Sequence, residues 1–174
     1  MTRLDPPLTP STYDAPVETT GDEPTRVLFV CTHNSARSQM AEGMVRAWGG
    51  DRFAAFSAGT EASHVRPEAI AVMGEIGIDI SDHRSKTILP FLGEPFAWVI
   101  TVCDAAKESC PVVPGAAEKA HWSIDDPSTV EGTEEERLEA FRTARDHLRD
   151  RVNMFLLAAG RTDIPQPAPT RIGG

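Results

Sequence analysis

The sequence predicts an α/β fold, a four-stranded parallel sheet with helices on both faces. Two observations carry this reading. Short apolar runs of strand length alternate with segments of helical period along the middle of the chain, and alternating strands and helices join through right-handed crossovers into a parallel sheet. The length of 174 residues also suits one domain with a sizeable core and is short for two.

Residues 1–24 hold Pro6, Pro7, Pro10, Pro16 and Pro24 among Thr, Asp and Glu. Such a segment has little to bury and is expected as a flexible Pro-rich tail. Residues 161–174 (RTDIPQPAPTRIGG) have the same character, which leaves 25–160 as the folded domain. Within it, Val27-Leu28-Phe29-Val30 reads as a buried strand. From Ser35 to Trp48, the residues Met40, Met44, Val45 and Trp48 recur at helical spacing, and Gly49-Gly50 ends the helix. Phe53 to Ser57 forms a second strand. Pro67 suits the first turn of a helix carrying Ile70, Met73 and Ile76 and closed by Gly77. Trp98 to Val102 is the clearest strand, and Ala120 to Ile124 is a weaker fourth. Thr133 and Glu136 form a capping box that opens a long helix with Leu138, Phe141, Leu148, Val152 and Phe155 on one face. Its acidic first turn, Glu134-Glu135-Glu136, reads as a dipole match only. The Met40/Met44 stripe and Trp48, Trp98 and Trp122 read as packing.

Composition narrows the function. A net charge of −9 argues against nucleic acid or an anionic membrane as partner, because both demand a basic face. No apolar run reaches the roughly 20 residues of a membrane span. The N-terminus lacks the basic and apolar regions of a secretory signal, so a cytoplasmic location is expected. Three cysteines cannot all pair within the chain. In a reducing compartment they read as catalytic, metal-binding or buried thiols.

Directly after the first strand comes Cys31-Thr32-His33-Asn34-Ser35-Ala36-Arg37-Ser38, and then a helix. In parallel sheets ligands bind at the carboxyl ends of strands, where this loop lies. The backbone N–H groups of Thr32, His33, Asn34, Ser35, Ala36, Arg37 and Ser38 can turn inward as a nest for a tetrahedral oxyanion. The helix adds its positive end, and Arg37 adds a planar fork for two anion oxygens. These local terms let an acidic protein hold an anion. The same field favours the thiolate of Cys31, its nucleophilic form. Ser38 can donate a hydroxyl hydrogen bond to that sulfur, and Asn34 can brace the loop through its own backbone. His33 is expected to face solvent. A chance C-x5-R-S in a chain with this many cysteines arises on the order of once in a hundred, which outweighs the reading of Cys31 as a buried hydrophobe.

With this loop, its continuation Gln39-Met40-Ala41-Glu42-Gly43, and the stretches Ser57-Ala58-Gly59, Gly77-Ile78-Asp79-Ile80-Ser81, His121 to Pro127 and Gly132 to Glu136, the chain resembles the low-molecular-weight tyrosine phosphatases and the arsenate reductases derived from them. The likeness runs from Arg26 to about Gly160. It implies the phosphatase-loop fold, and it places a general acid on Asp126 of the Asp126-Pro127 pair, which read alone is a turn starter. A phosphatase needs only Cys31, whereas a reductase of As(V) needs further thiols. Cys103 ends the third strand and Cys110 follows seven residues later, a spacing similar to that of thioredoxin-coupled reductases. The resemblance then implies a monomer that converts arsenate to arsenite. Cys31 attacks arsenic, Cys103 forms a disulfide with Cys31, Cys110 takes the disulfide over, and thioredoxin reduces it. No metal or organic cofactor is required.

The chain departs from the family at Ala36, where a second cysteine is frequent, and at Lys86. Some relatives bind potassium with groups matching Asn34, Glu42 and Ser57 and an acidic residue, and Lys86 stands at the acid's position. No metal is therefore expected, and two placements stay open for the Lys86 ammonium, one close to Asn34 and Glu42 and one on the solvated surface. A helical 104–110 segment would hold the Cα atoms of Cys103 and Cys110 roughly 10 Å apart, too far for a disulfide without unwinding. Two other functions compete: a protein tyrosine phosphatase sharing loop and acid, and a non-enzymatic oxyanion-binding or thiol-sensor domain. Against the phosphatase, Pro127 is followed by Ser128-Thr129 rather than aromatics, and the one tyrosine, Tyr13, lies in the tail.

Overall fold

A computed structural model describes residues 23–103 and 116–159. Cys110, the 104–110 segment and nearly all of the two expected tails lie outside the described residues. The elements run β1 (Thr25–Cys31), α1 (Arg37–Trp48), β2 (Phe53–Gly59), α2 (Pro67–Glu75), β3 (Trp98–Thr101), β4 (Glu118–His121) and α3 (Glu134–Ala158). The four strands form one sheet in the order β2-β1-β3-β4, and every pairing is parallel.

The edges of elements differ from the periodicity reading for physical reasons. β1 and β2 pair from Thr25↔Phe53 through Cys31↔Gly59, so the ladder continues past the apolar run until the loop begins. The fourth strand is Glu118–His121 and not Ala120–Ile124. It pairs only with β3, and an edge strand tolerates the exposed Glu118 and Lys119. The apolar Trp122 and Ile124 are buried just beyond it. Helix α1 starts at Arg37 because Ser35 and Ala36 belong to the loop. Helix α2 has its proline in the first turn and ends at Glu75, with Ile76 as its C-cap and Gly77 at φ +79°, a left-handed position that glycine fills without steric cost.

The core lies between the sheet and α1 and α3. Phe29 packs on Trp122, Trp122 on Phe155, and Phe155 on Phe53 and Trp98. Met40, Met44, Val45 and Trp48 of α1 are all buried, as are Phe141, Leu148, Val152 and Leu156 of α3. Each such fully buried side chain contributes roughly 1.5–3 kcal/mol. A second aromatic group, Phe56, Phe91 and Phe96, involves the one-turn helix Leu89–Phe91 and lies under the guanidinium of Arg26.

Helix α3 opens with the expected capping box, the Thr133 hydroxyl accepting from Glu136 N–H and the Glu136 carboxylate from Thr133 N–H. Its acidic turn does more than meet the dipole. Glu135 pairs with Arg142 at 2.7 Å, Arg142 with Glu75 of α2 at 2.9 Å, and the buried Arg145 reaches Glu75 at 2.8 Å and the Val72 carbonyl at 2.9 Å. These bonds fix α2 on α3. Among the described residues no helix is long and apolar enough to cross a membrane.

Candidate active site

The loop from Cys31 to Ser38 leaves the carboxyl end of the central strand β1 and enters α1. Helix α1 begins without a side-chain cap and without an acidic residue in its first turn, so its positive end faces the loop uncompensated. Cys31 is a free, buried thiol. Its sulfur accepts the Asn34 N–H at 3.1 Å and lies 2.8 Å from Ser38 Oγ. Ser38 Oγ itself accepts Asn34 Nδ2 at 2.9 Å, which leaves the hydroxyl proton for the thiolate.

Asn34 is the only non-glycine residue with positive φ, at 49°, among the described residues. A left-handed asparagine costs about 1 kcal/mol and persists where its surroundings over-determine it. Here its side chain does not turn back on its own backbone, as the sequence suggested. Nδ2 donates to Ser38, and Oδ1 accepts Gln39 Nε2 at 2.8 Å and the Lys86 N–H at 3.0 Å. Gln39, fully buried, also donates to the Arg84 carbonyl at 3.0 Å and meets His83 Nδ1 at 3.0 Å through its Oε1. Gly59 is required by close approach. A Cβ there would come within 2.7 Å of the Thr32 carbonyl oxygen and 2.8 Å of the Asn34 nitrogen.

The remaining loop residues take plainer positions. Ser35 offers its carbonyl to the Arg66 N–H at 2.8 Å, and Ala36 is buried. His33 is exposed and approaches Glu61 at 3.5 Å. The Thr32 hydroxyl lies 3.5 Å from the sulfur of Cys103, a second buried free thiol that follows β3. Val102 N–H bonds to the Val30 carbonyl, so the ends of β1 and β3 bring both cysteines to one edge of the sheet.

Arg37 donates to the Ile124 carbonyl at 2.8 Å and stands 3.3 Å from Asp126 Oδ2. The other oxygen of Asp126 accepts the N–H of Ser128 at 2.9 Å and its hydroxyl at 2.7 Å. Burial pushes the carboxyl up. The two Ser128 bonds, with Arg37 and His33, outweigh it and hold Asp126 below the ordinary 3.8. Asp126 caps the turn Pro127–Thr129, so the turn-starter reading and the position beside the anion loop hold together.

Glu42 of α1 is 2% exposed. It accepts the Ser57 hydroxyl from β2, pairs with Arg46 at 2.7 Å and lies 3.8 Å from Lys86 Nζ. Sequence reasoning missed Gln39, Ser128 and the Thr32–Cys103 contact. A glutamine at a core position of a helix is the one signal that was available for Gln39.

A buried thiol and an arginine on one strand-to-helix loop, with a carboxyl brought from another, define a thiol enzyme of the phosphatase-loop class. The chain belongs to the low molecular weight phosphotyrosine protein phosphatase family, whose model matches residues 26–164. An arsenate reductase of Halalkalibacterium halodurans is 45% identical over 129 residues, 74% of this chain and 93% of that protein. A solved arsenate reductase in its phosphate-binding state superposes with a TM-score of 0.66 at 36% identity, over 77% of this chain and 98% of that one. A low molecular weight protein tyrosine phosphatase from T. tengcongensis gives a TM-score of 0.64 at 30% identity, over 77% and 99%.

Proposed function

We propose that this protein is an arsenate reductase of the thioredoxin-coupled kind, acting in the cytoplasm as a monomer through Cys31, Cys103 and Cys110. The observation that carries the reading is the second thiol. Cys103 is buried at the rim of the anion loop with its sulfur 3.5 Å from Thr32 Oγ1. A phosphatase, finished by water, has no use for it. The likeness to curated arsenate reductases supports the substrate.

The chemistry follows from the residues. Arsenate enters the nest of N–H groups, where Arg37 and the start of α1 bind its charge. The Cys31 thiolate attacks arsenic, and an arsenate hydroxyl leaves as water with a proton relayed through Asp126. The Cys103 thiolate then attacks the Cys31 sulfur. The electron pair of the S–As bond passes to arsenic, As(V) becomes As(III), and arsenite departs from a Cys31–Cys103 disulfide. Cys110 attacks Cys103 and frees Cys31, and a reduced thioredoxin clears the Cys103–Cys110 disulfide by exchange. Two thiols supply the two electrons.

The test is a coupled assay with arsenate, thioredoxin, thioredoxin reductase and NADPH. One NADPH oxidised per arsenite formed is expected, with slow hydrolysis of p-nitrophenyl phosphate. Rapid phosphate-ester hydrolysis without arsenite would assign the site to the phosphatase branch. Neither activity would leave an oxyanion-binding domain.

A further inference from the structure

The oxyanion nest is flanked by a buried carboxylate, which needs an account. Glu42 sits within α1, four residues after Ser38, is 2% exposed, and is linked to the anion loop through Lys86, which meets both Glu42 and Asn34. A buried carboxylate persists only if it is paired and hydrogen-bonded. Arg46 meets Oε1 at 2.7 Å from the exposed side of the helix and also donates to the Ala55 carbonyl at 3.2 Å. The inner oxygen, Oε2, accepts the Ser57 hydroxyl and faces Lys86 Nζ at 3.8 Å.

Lys86 makes three hydrogen bonds, one of them to the loop. Its N–H holds Asn34 Oδ1 at 3.0 Å, its carbonyl accepts the Gly59 N–H at 2.9 Å, and its ammonium donates to the Arg84 carbonyl at 3.2 Å. The ammonium thus lies among a carboxylate oxygen and a carbonyl oxygen, with the Ser57 hydroxyl on the same carboxylate. These are the ligands that a hard monovalent cation takes.

We infer that Lys86 is a positioning residue, a covalently tethered counter-cation for Glu42 that keeps Asn34 and the anion loop receptive without any free monovalent cation. Through Asn34 the effect reaches the Ser38 hydroxyl and the Cys31 sulfur. Burial lowers the ammonium's affinity for its proton, Glu42 opposes that loss, and Arg46 adds to it. The Lys86 side chain is 34% exposed, and its ammonium stands 3.8 Å from Glu42 Oε2. The inference rests on the loop being an oxyanion site, and its test does not need arsenate to be reduced.

The measurement is protection of Cys31 from iodoacetamide by inorganic phosphate, read at the Cys31 peptide. It is made in potassium chloride and in tetramethylammonium chloride at equal ionic strength. The wild type should give the same protection constant in both salts. Lys86→Met should weaken protection about tenfold in tetramethylammonium and regain several-fold of it in potassium, while Lys86→Arg should stay near the wild type. Adding Lys86→Met to Glu42→Gln should cost little more than Glu42→Gln alone, because no carboxylate then needs a counter-charge. That comparison decides the matter if the single Met variant folds poorly. A wild type strengthened several-fold by potassium would overturn the inference. So would a Lys86→Met variant that protects as well as wild type in tetramethylammonium. Failure of phosphate to protect Cys31 in any variant would overturn the oxyanion site itself, which separates the two claims.

Discussion

Arg37 Nη2 stands 3.3 Å from Asp126 Oδ2, so the anion-binding arginine and the acid are partners before an anion arrives. The pair adds to the two Ser128 hydrogen bonds that hold the Asp126 carboxyl down against its burial. Asp126 is held below the ordinary 3.8. Its bonds therefore stabilise the fold at neutral pH and are lost only as pH falls through that lowered value.

The consequence for catalysis is that the transferred proton arrives with the substrate. Between about pH 5 and 8, kcat/KM for arsenate should show no acid limb from Asp126, and it should fall as arsenate loses its own proton. Asp126→Asn should slow the first half-reaction on the order of a hundredfold, in rapid-quench assays of arsenite. A titration of kcat/KM near pH 6 that disappears in Asp126→Asn would reverse this assignment.

The Ser38 hydroxyl is fixed between Asn34 Nδ2 and the Cys31 sulfur. Removing it takes a charge-assisted hydrogen bond from the thiolate, worth roughly 1.5–3 kcal/mol. Ser38→Ala should alkylate with iodoacetamide at Cys31 about tenfold more slowly than the wild type. An unchanged rate would mean that the hydroxyl does not support the thiolate.

The capping box makes a stability prediction away from the site. Thr133→Ala leaves the Glu136 N–H without its side-chain partner and should cost about 1 kcal/mol. That is a drop of roughly 3 °C in Tm for a domain of this size, seen by calorimetry with arsenite formation unchanged. No change in Tm would mean that solvent caps the helix as well.

What the sequence revealed and what it concealed divide by distance along the chain. The anion loop was legible because Cys31 to Ser38 are contiguous and sit between an apolar run and a helical period. The capping box of Thr133 and Glu136 is equally local. The bonds of Asn34 were not legible, although the family resemblance offered Lys86 as a neighbour. Lys86 lies 52 residues away and bonds through its backbone, which no side-chain pattern encodes. The approach of Thr32 to Cys103, 71 residues apart, needed the β1–β3 pairing. The fourth strand was misplaced because an edge strand carries Glu118 and Lys119, while the apolar signal belongs to the buried Trp122 and Ile124 that follow it.

The thiol relay can be counted in a single turnover. Reduced enzyme is mixed with excess arsenate and no reductant, and arsenite and free thiols are counted in the same sample. About one arsenite per chain and the loss of two thiols are expected, by two-electron exchange. Cys103→Ser should release no arsenite, and Cys110→Ser should complete one turnover and stop. Arsenite released by Cys103→Ser at the wild-type yield, or turnover without loss of thiols, would contradict the relay.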